Sequence, residues 1–212
     1  NKCRLNGLSK VNQTSYPAMQ IWPQEKVHNK LKFYMYFDVN EHRNWYYSLL
    51  SGMYGWATAF ERNGGSKWAP FIGTNDPNSA DIDIYIADLG PIDPTIPSGL
   101  TYILPDGSRA IKSIIILNQN YENYAYLKDE RLFIATHELG HALSLNHTEA
   151  GAARQIAGTP QEDIKSIMVP TFNLDETTDY ESYLPLVQIP YKYEYVVPSE
   201  NDIKALRILY DL

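Results

Sequence analysis

Only one cysteine, Cys3, occurs in the 212 residues. No intrachain disulfide can form, so the fold must be held by its core or by a metal. Basic residues are too few for a phosphate-binding face. Lys and Arg number 18 against 25 Asp and Glu, and the net charge of −7 makes nucleic acid an unexpected partner. No run of 18 apolar residues exists, so no transmembrane segment is expected. The longest aliphatic stretch, Ile114 to Leu117, has the length of a buried strand. Internal repeats and low-complexity segments are absent as well. What is present is enough for one core: 44% hydrophobic and 13% aromatic residues, including 17 Tyr. A monomer of a single domain over 1–212 is the expectation.

Periodicity divides that domain. Residues 1–29 are polar and carry two Pro, which reads as a loosely packed lead-in. Leu31 to Phe37 is a strand pattern rich in aromatics. Trp45, Leu49, Met53, Trp56 and Phe60 recur at helical spacing over 40–62, and Asn63-Gly64-Gly65 stops that helix. Strand patterns follow at Trp68 to Ile72, Asp81 to Ala87, Gly99 to Leu104 and Ile111 to Leu117, the last two joined by Pro105-Asp106-Gly107. A second long helix is expected over Asp129 to Leu143. Ser199, with Asp202 three residues on, forms a capping box before a closing helix with Ile203, Leu206 and Leu209 or Tyr210 on its apolar face. The order predicts an α/β (α+β) layout. A twisted, mostly parallel five-stranded sheet with two long helices makes an upper part (30–147). A coil-rich lower part (148–212) ends in a C-terminal helix.

The chemistry sits on the second helix. His137-Glu138-Leu139-Gly140-His141 puts two imidazoles four residues apart, on one helix face. Cβ atoms so spaced are roughly 5–6 Å apart. Two rings can then close on one zinc at about 2.0–2.1 Å each. His147 follows as a third ligand. Three neutral His leave an open position for water, whose pKa zinc lowers to about 7. Glu138 is the general base for that water and then passes a proton to the leaving amine. Given 5 His in the chain, H-E-x-x-H arises by chance in roughly one such sequence per hundred. With a third His at the right offset that falls to roughly one in several thousand.

The stretch Leu132 to His147 resembles the active-site helix of the metzincin metallopeptidases and is most similar to the matrixin branch. Ser166-Ile167-Met168-Val169-Pro170-Thr171-Phe172 resembles their Met-turn, with Pro two and an aromatic four residues after the Met. The resemblance implies that Met168 underlies the zinc and that Pro170, Thr171 and Phe172 form the wall of the S1' pocket. Ser98 to Pro105 looks like the matrixin edge strand above the cleft. Thr101, Tyr102 and Ile103 would there meet an extended peptide by strand addition. The implied activity is that of a zinc endopeptidase acting on a protein or peptide substrate, of bacterial type and secreted or at the cell surface.

Some positions depart from the family pattern. Ser144 replaces the Gly that ends the metzincin helix, at a cost on the order of 1 kcal/mol if φ is positive. The gap from His147 to Met168 is longer than in matrixins. Ile156 to Pro160, Asp163 and Ser166 to Met168 are similar instead to the bacterial dual-action HEIGH metallopeptidases. Tyr102 and Ile116 stand where matrixins hold a structural zinc with histidines, and only His28 and His42 remain, so no second zinc is expected. Asp76, Asp81, Asp83, Asp88 and Asp93 offer oxygen ligands for calcium, although Asp alternating along a strand usually marks its solvated face. Cys3 reads as an ordinary thiol. The Tyr-rich residues 173–198 either shape the primed side of the cleft or cover the lower part. Three rival functions stay open: a latent or inactive zinc-bearing binding module, a zinc hydrolase of non-peptide amides, and a gluzincin-type peptidase with a downstream Glu in place of His147.

Overall fold

A computed structural model describes residues 20–65, 68–124, 128–148, 156, 158–160, 163, 165–169, 186–188 and 194–212. At 186–188 and 194–196 only the main chain is described. The fold is mixed α/β, built on a five-stranded sheet in the order β2-β1-β3-β5-β4. The strands are β1 (Leu31–Met35), β2 (Phe71–Gly73), β3 (Ile82–Ala87), β4 (Gly99–Asp106) and β5 (Arg109–Asn118). β2, β1, β3 and β5 run parallel, and β4 returns antiparallel to β5. The turn at Gly107, with φ 59°, makes this last pairing a hairpin. β4 is therefore the end strand, and no other described strand pairs with its outer edge.

Alternate residues decide what covers the sheet. Leu31, Ile82, Ile84, Ile115, Leu117, Thr101 and Ile103 are buried. On β4 their neighbours Tyr102 and Leu104 are exposed, the period-two pattern of a sheet covered on one face. Two long helices supply that cover, α2 (Arg43–Arg62) and α3 (Lys128–Ala142). On α2 the side chains of Trp45, Leu49, Trp56 and Phe60 are buried, each worth about 1.5–3 kcal/mol of transfer free energy. The two indoles are anchored as well: Trp45 donates to Asn118 O (3.1 Å) and Trp56 to Thr136 O (3.0 Å). Asn63 and Gly64 end α2 as expected, with Gly65 N donating back to Phe60 O at 3.0 Å.

Three expectations need correction. Residues 20–29 are not a loose lead-in: α1 (Gln24–His28) forms there, with Trp22 and Val27 at most 1% exposed. Asp81 and Asp83 are not a solvated face. Both are buried, Asp81 paired with Lys26 and Asp83 with Lys112 at 2.8 Å. Residues 173–198 are not all coil, because β6 (Leu186–Gln188) and β7 (Glu194–Val196) form an antiparallel pair, with β7 against α2 and α3. α4 (Glu200–Tyr210) closes the chain with both halves of the expected Ser199–Asp202 capping box. None of the described helices is long and apolar enough to cross a membrane.

Candidate metal centre

From Arg131 to Ala142 every residue of α3 is buried. Two imidazoles, His137 and His141, are therefore drawn into the protein, and each buried ring nitrogen needs a partner. His137 Nδ1 lies 2.7 Å from Ile167 O, and His141 Nδ1 lies 2.7 Å from Leu145 O. A carbonyl only accepts, so both Nδ1 atoms carry the proton and both Nε2 atoms present lone pairs. These lone pairs point at one another: His141 Nε2 is 3.0 Å from His137 Nε2, which is 3.2 Å from His147 Nε2. With no proton between the first two, that arrangement is repulsive unless a cation sits among them. Two nitrogens on a tetrahedral zinc at about 2.0–2.1 Å would stand about 3.3–3.4 Å apart, close to what is seen. The three residues fit a metal ion. They are the one group of three or more His, Cys, Asp or Glu among the described residues that could hold one.

The electrostatics agree. Burial, then the charge His147 would carry, pushes the His137 pKa down to about 3. Burial, followed by the charges of the other two rings, drives His141 well below its usual range. Burial lowers His147 to about 4. All three are neutral at pH 7, the form a metal needs.

Glu138 is fully buried beside this cluster. Thr101 donates its hydroxyl to Glu138 Oε2 at 2.6 Å, which ties the carboxylate of α3 to the end strand β4. A Cβ on Gly99 would come within 2.9 Å of Glu138 Cγ, so only glycine lets β4 approach this closely. Thr101 is thus a partner of Glu138, and Ile103 belongs to the core; of the three strand residues expected to meet a peptide, Tyr102 alone is exposed. Thr101 was expected at this strand, but its bond to Glu138 leaves no trace in a sequence.

Met168 packs against α3 at Gly140. It is 1% exposed, and a Cβ at Gly140 would overlap its Sδ. Its turn is clamped from two sides. Thr148 N donates to Met168 O at 2.8 Å. Asp202, on α4, accepts from Ser166 Oγ (2.5 Å) and Ile167 N (2.8 Å). Asp202 therefore caps its own helix and also holds the residue whose carbonyl orients His137. Burial raises the Asp202 pKa to about 6, against the hydrogen bonds that lower it.

Pro170, Thr171, Phe172 and Cys3 lie outside the described residues. His28 and His42 stay apart from the cluster, bonding Tyr210 O at 2.9 Å and facing Glu122 at 3.8 Å. Among the described residues the aspartates considered for calcium gather into no group of three around one point; Asp76 accepts from Asn78 N, Asp88 from Gly90 N and Asp93 from Thr95 N. Among known proteins, no family model matches this chain and no curated protein matches it.

Proposed function

We propose that this chain is a zinc-dependent endopeptidase of the metzincin type, with His137, His141 and His147 as ligands and Glu138 as general base. The observation that carries the reading is the convergence of three Nε2 atoms, that of His137 standing 3.0 Å from His141 and 3.2 Å from His147, beside a carboxylate tied to the end strand of the described sheet. Zinc, when bound, supplies Lewis acidity: it polarises a carbonyl oxygen and eases the ionisation of water.

The chain's own residues do the rest. Thr101 fixes the Glu138 carboxylate through Oε2. That carboxylate accepts the proton of the attacking water and returns it to the leaving amine nitrogen. The Ile167 and Leu145 carbonyls hold the His137 and His141 rings with Nε2 turned inward; such outer partners are worth about 10–100-fold in metal affinity. The outer edge of β4 offers main-chain donors and acceptors to an extended peptide. An endopeptidase needs such an edge, since its substrate runs past the site at both ends. In this reading Met168 forms the floor under the metal, Pro170 to Phe172 wall the S1' pocket, and the enzyme works as a secreted or cell-surface monomer.

The test is cleavage of a random peptide library by the wild type and by Glu138→Ala, with zinc measured in each. The wild type should cut. Glu138→Ala should hold zinc and cut about 10²–10⁴-fold more slowly. A zinc-loaded wild type that cuts no peptide would sink the endopeptidase reading and leave a zinc-bearing binding module.

A further inference from the structure

We infer that Ser144 and the segment Gln20–Trp22 are positioning elements of the metal centre, holding the turn that carries the chain from His141 to His147. This rests on the zinc reading above. An α-helix leaves its last four carbonyls without helical partners, and at the end of α3 all four are met. Gly140 O accepts from Leu145 N (3.1 Å) and His141 O from Ser144 N (2.9 Å). These two bonds close a left-handed helix end, with Ser144 at φ 70°. Ala142 O accepts from the Trp22 indole at 2.7 Å, and Leu143 O from the Tyr210 hydroxyl at 2.9 Å.

Glycine is the usual residue at such a φ, because serine is strained there. Serine brings something glycine lacks: its hydroxyl, fully buried, donates to Gln20 O at 2.9 Å. The next residue is held to the sheet, with Ala110 N donating to Ile21 O at 2.9 Å. A path of hydrogen bonds thus runs from β5 through 20–22 to the helix end. One residue past Ser144, Leu145 O takes the proton of His141 Nδ1; three past it, His147 supplies the third nitrogen. A shift of this turn would move one ligand's orienting carbonyl and another ligand at once.

The experiment uses the full chain and three variants: Ser144→Gly, Trp22→Phe and the double substitution. Zinc affinity is read by competition with a chromophoric chelator, ligand geometry by the visible spectrum of the cobalt-loaded protein, and folding by melting of the metal-free forms. Ser144→Gly should melt no lower than the wild type, since its strain is relieved, yet bind zinc about tenfold more weakly with an altered cobalt spectrum. Trp22→Phe should weaken zinc in the same direction, and the double variant should lose less than the product of the two, because both act through one segment. Wild-type affinity and spectrum in Ser144→Gly would overturn the inference, and that variant decides even if Trp22→Phe fails to fold. A wild type that binds no zinc would overturn the zinc reading and this inference together. A wild type that binds zinc, alongside variants that bind it equally well, would overturn this inference alone.

Discussion

The two long helices pack on the same sheet and are built on opposite plans. α2 buries Trp45, Leu49, Trp56 and Phe60 and leaves Tyr47, Tyr54 and Arg62 in solvent. α3 has no wet side between Arg131 and Ala142, although Arg131, Thr136, His137, Glu138 and His141 lie in that stretch. A buried polar group without a partner costs about 1–3 kcal/mol, so a helix of the second kind must settle each of them. Arg131 donates to Tyr121 O, Thr136 to Leu132 O, and the two His Nδ1 atoms to main-chain carbonyls. Once these are satisfied, the Nε2 lone pairs of His137 and His141 remain on α3, and that of His147, beyond the helix, meets them. The contrast marks the candidate site, on the helix whose polarity packing does not explain.

The largest way to sharpen that contrast is pH. In the metal-free protein the folded pKa values of His137 and His147 are depressed to about 3 and 4, and His141 is lowered too. The unfolded chain binds protons at these sites below its pKa of about 6.5 while the folded chain does not. Their stabilising effect is therefore complete above pH 6.5 and is lost as pH falls toward 3. Asp202, raised to about 6, acts the other way, favouring the fold below pH 4 and losing that effect as pH rises through 6. The three histidines outweigh it, so urea midpoints of the metal-free protein should drop from pH 7 to pH 4 by the equivalent of several kcal/mol, on the order of 3–5. A flat profile would contradict the burial described for α3.

Next in size is Gly140→Ala. The added methyl meets Met168 Sδ and lies 2.8 Å from Trp56 Cζ2, and overpacking of this kind should cost about 3 kcal/mol by urea unfolding. Smallest is Tyr54→Ala on the wet side of α2. Tyr54 is 56% exposed, and its loss should change stability by less than about 0.5 kcal/mol and leave zinc affinity unchanged. A large effect there would erase the distinction between the helices.

The legible parts of this molecule are the local ones. The i, i+4 spacing of His137 and His141, the Asn63-Gly64-Gly65 stop and the Ser199–Asp202 capping box each lie within one or two turns of chain, where periodicity and capping chemistry act. What stayed hidden joins distant residues. Trp22 reaches Ala142 across 120 positions, Lys26 reaches Asp81 across 55, and Asp202 reaches Ile167 across 35. The apolar residues Ile21, Trp22 and Val27 are the local hint that residues 20–29 are packed. Carbonyl partners such as Ile167 O and Leu145 O leave no trace, because every residue has one. The β6–β7 pair was missed for a related reason: each strand is three residues long, too short for alternation to register.

The central claim is that the three histidines form one zinc site, and the most direct measurement is zinc per chain after dialysis against a weak chelator, for the wild type and His147→Ala. The account predicts close to one zinc in the wild type and close to none in the variant. A wild type without zinc, or a His147→Ala chain that keeps it as tightly, would contradict the account, the latter by showing that some other residue completes the site.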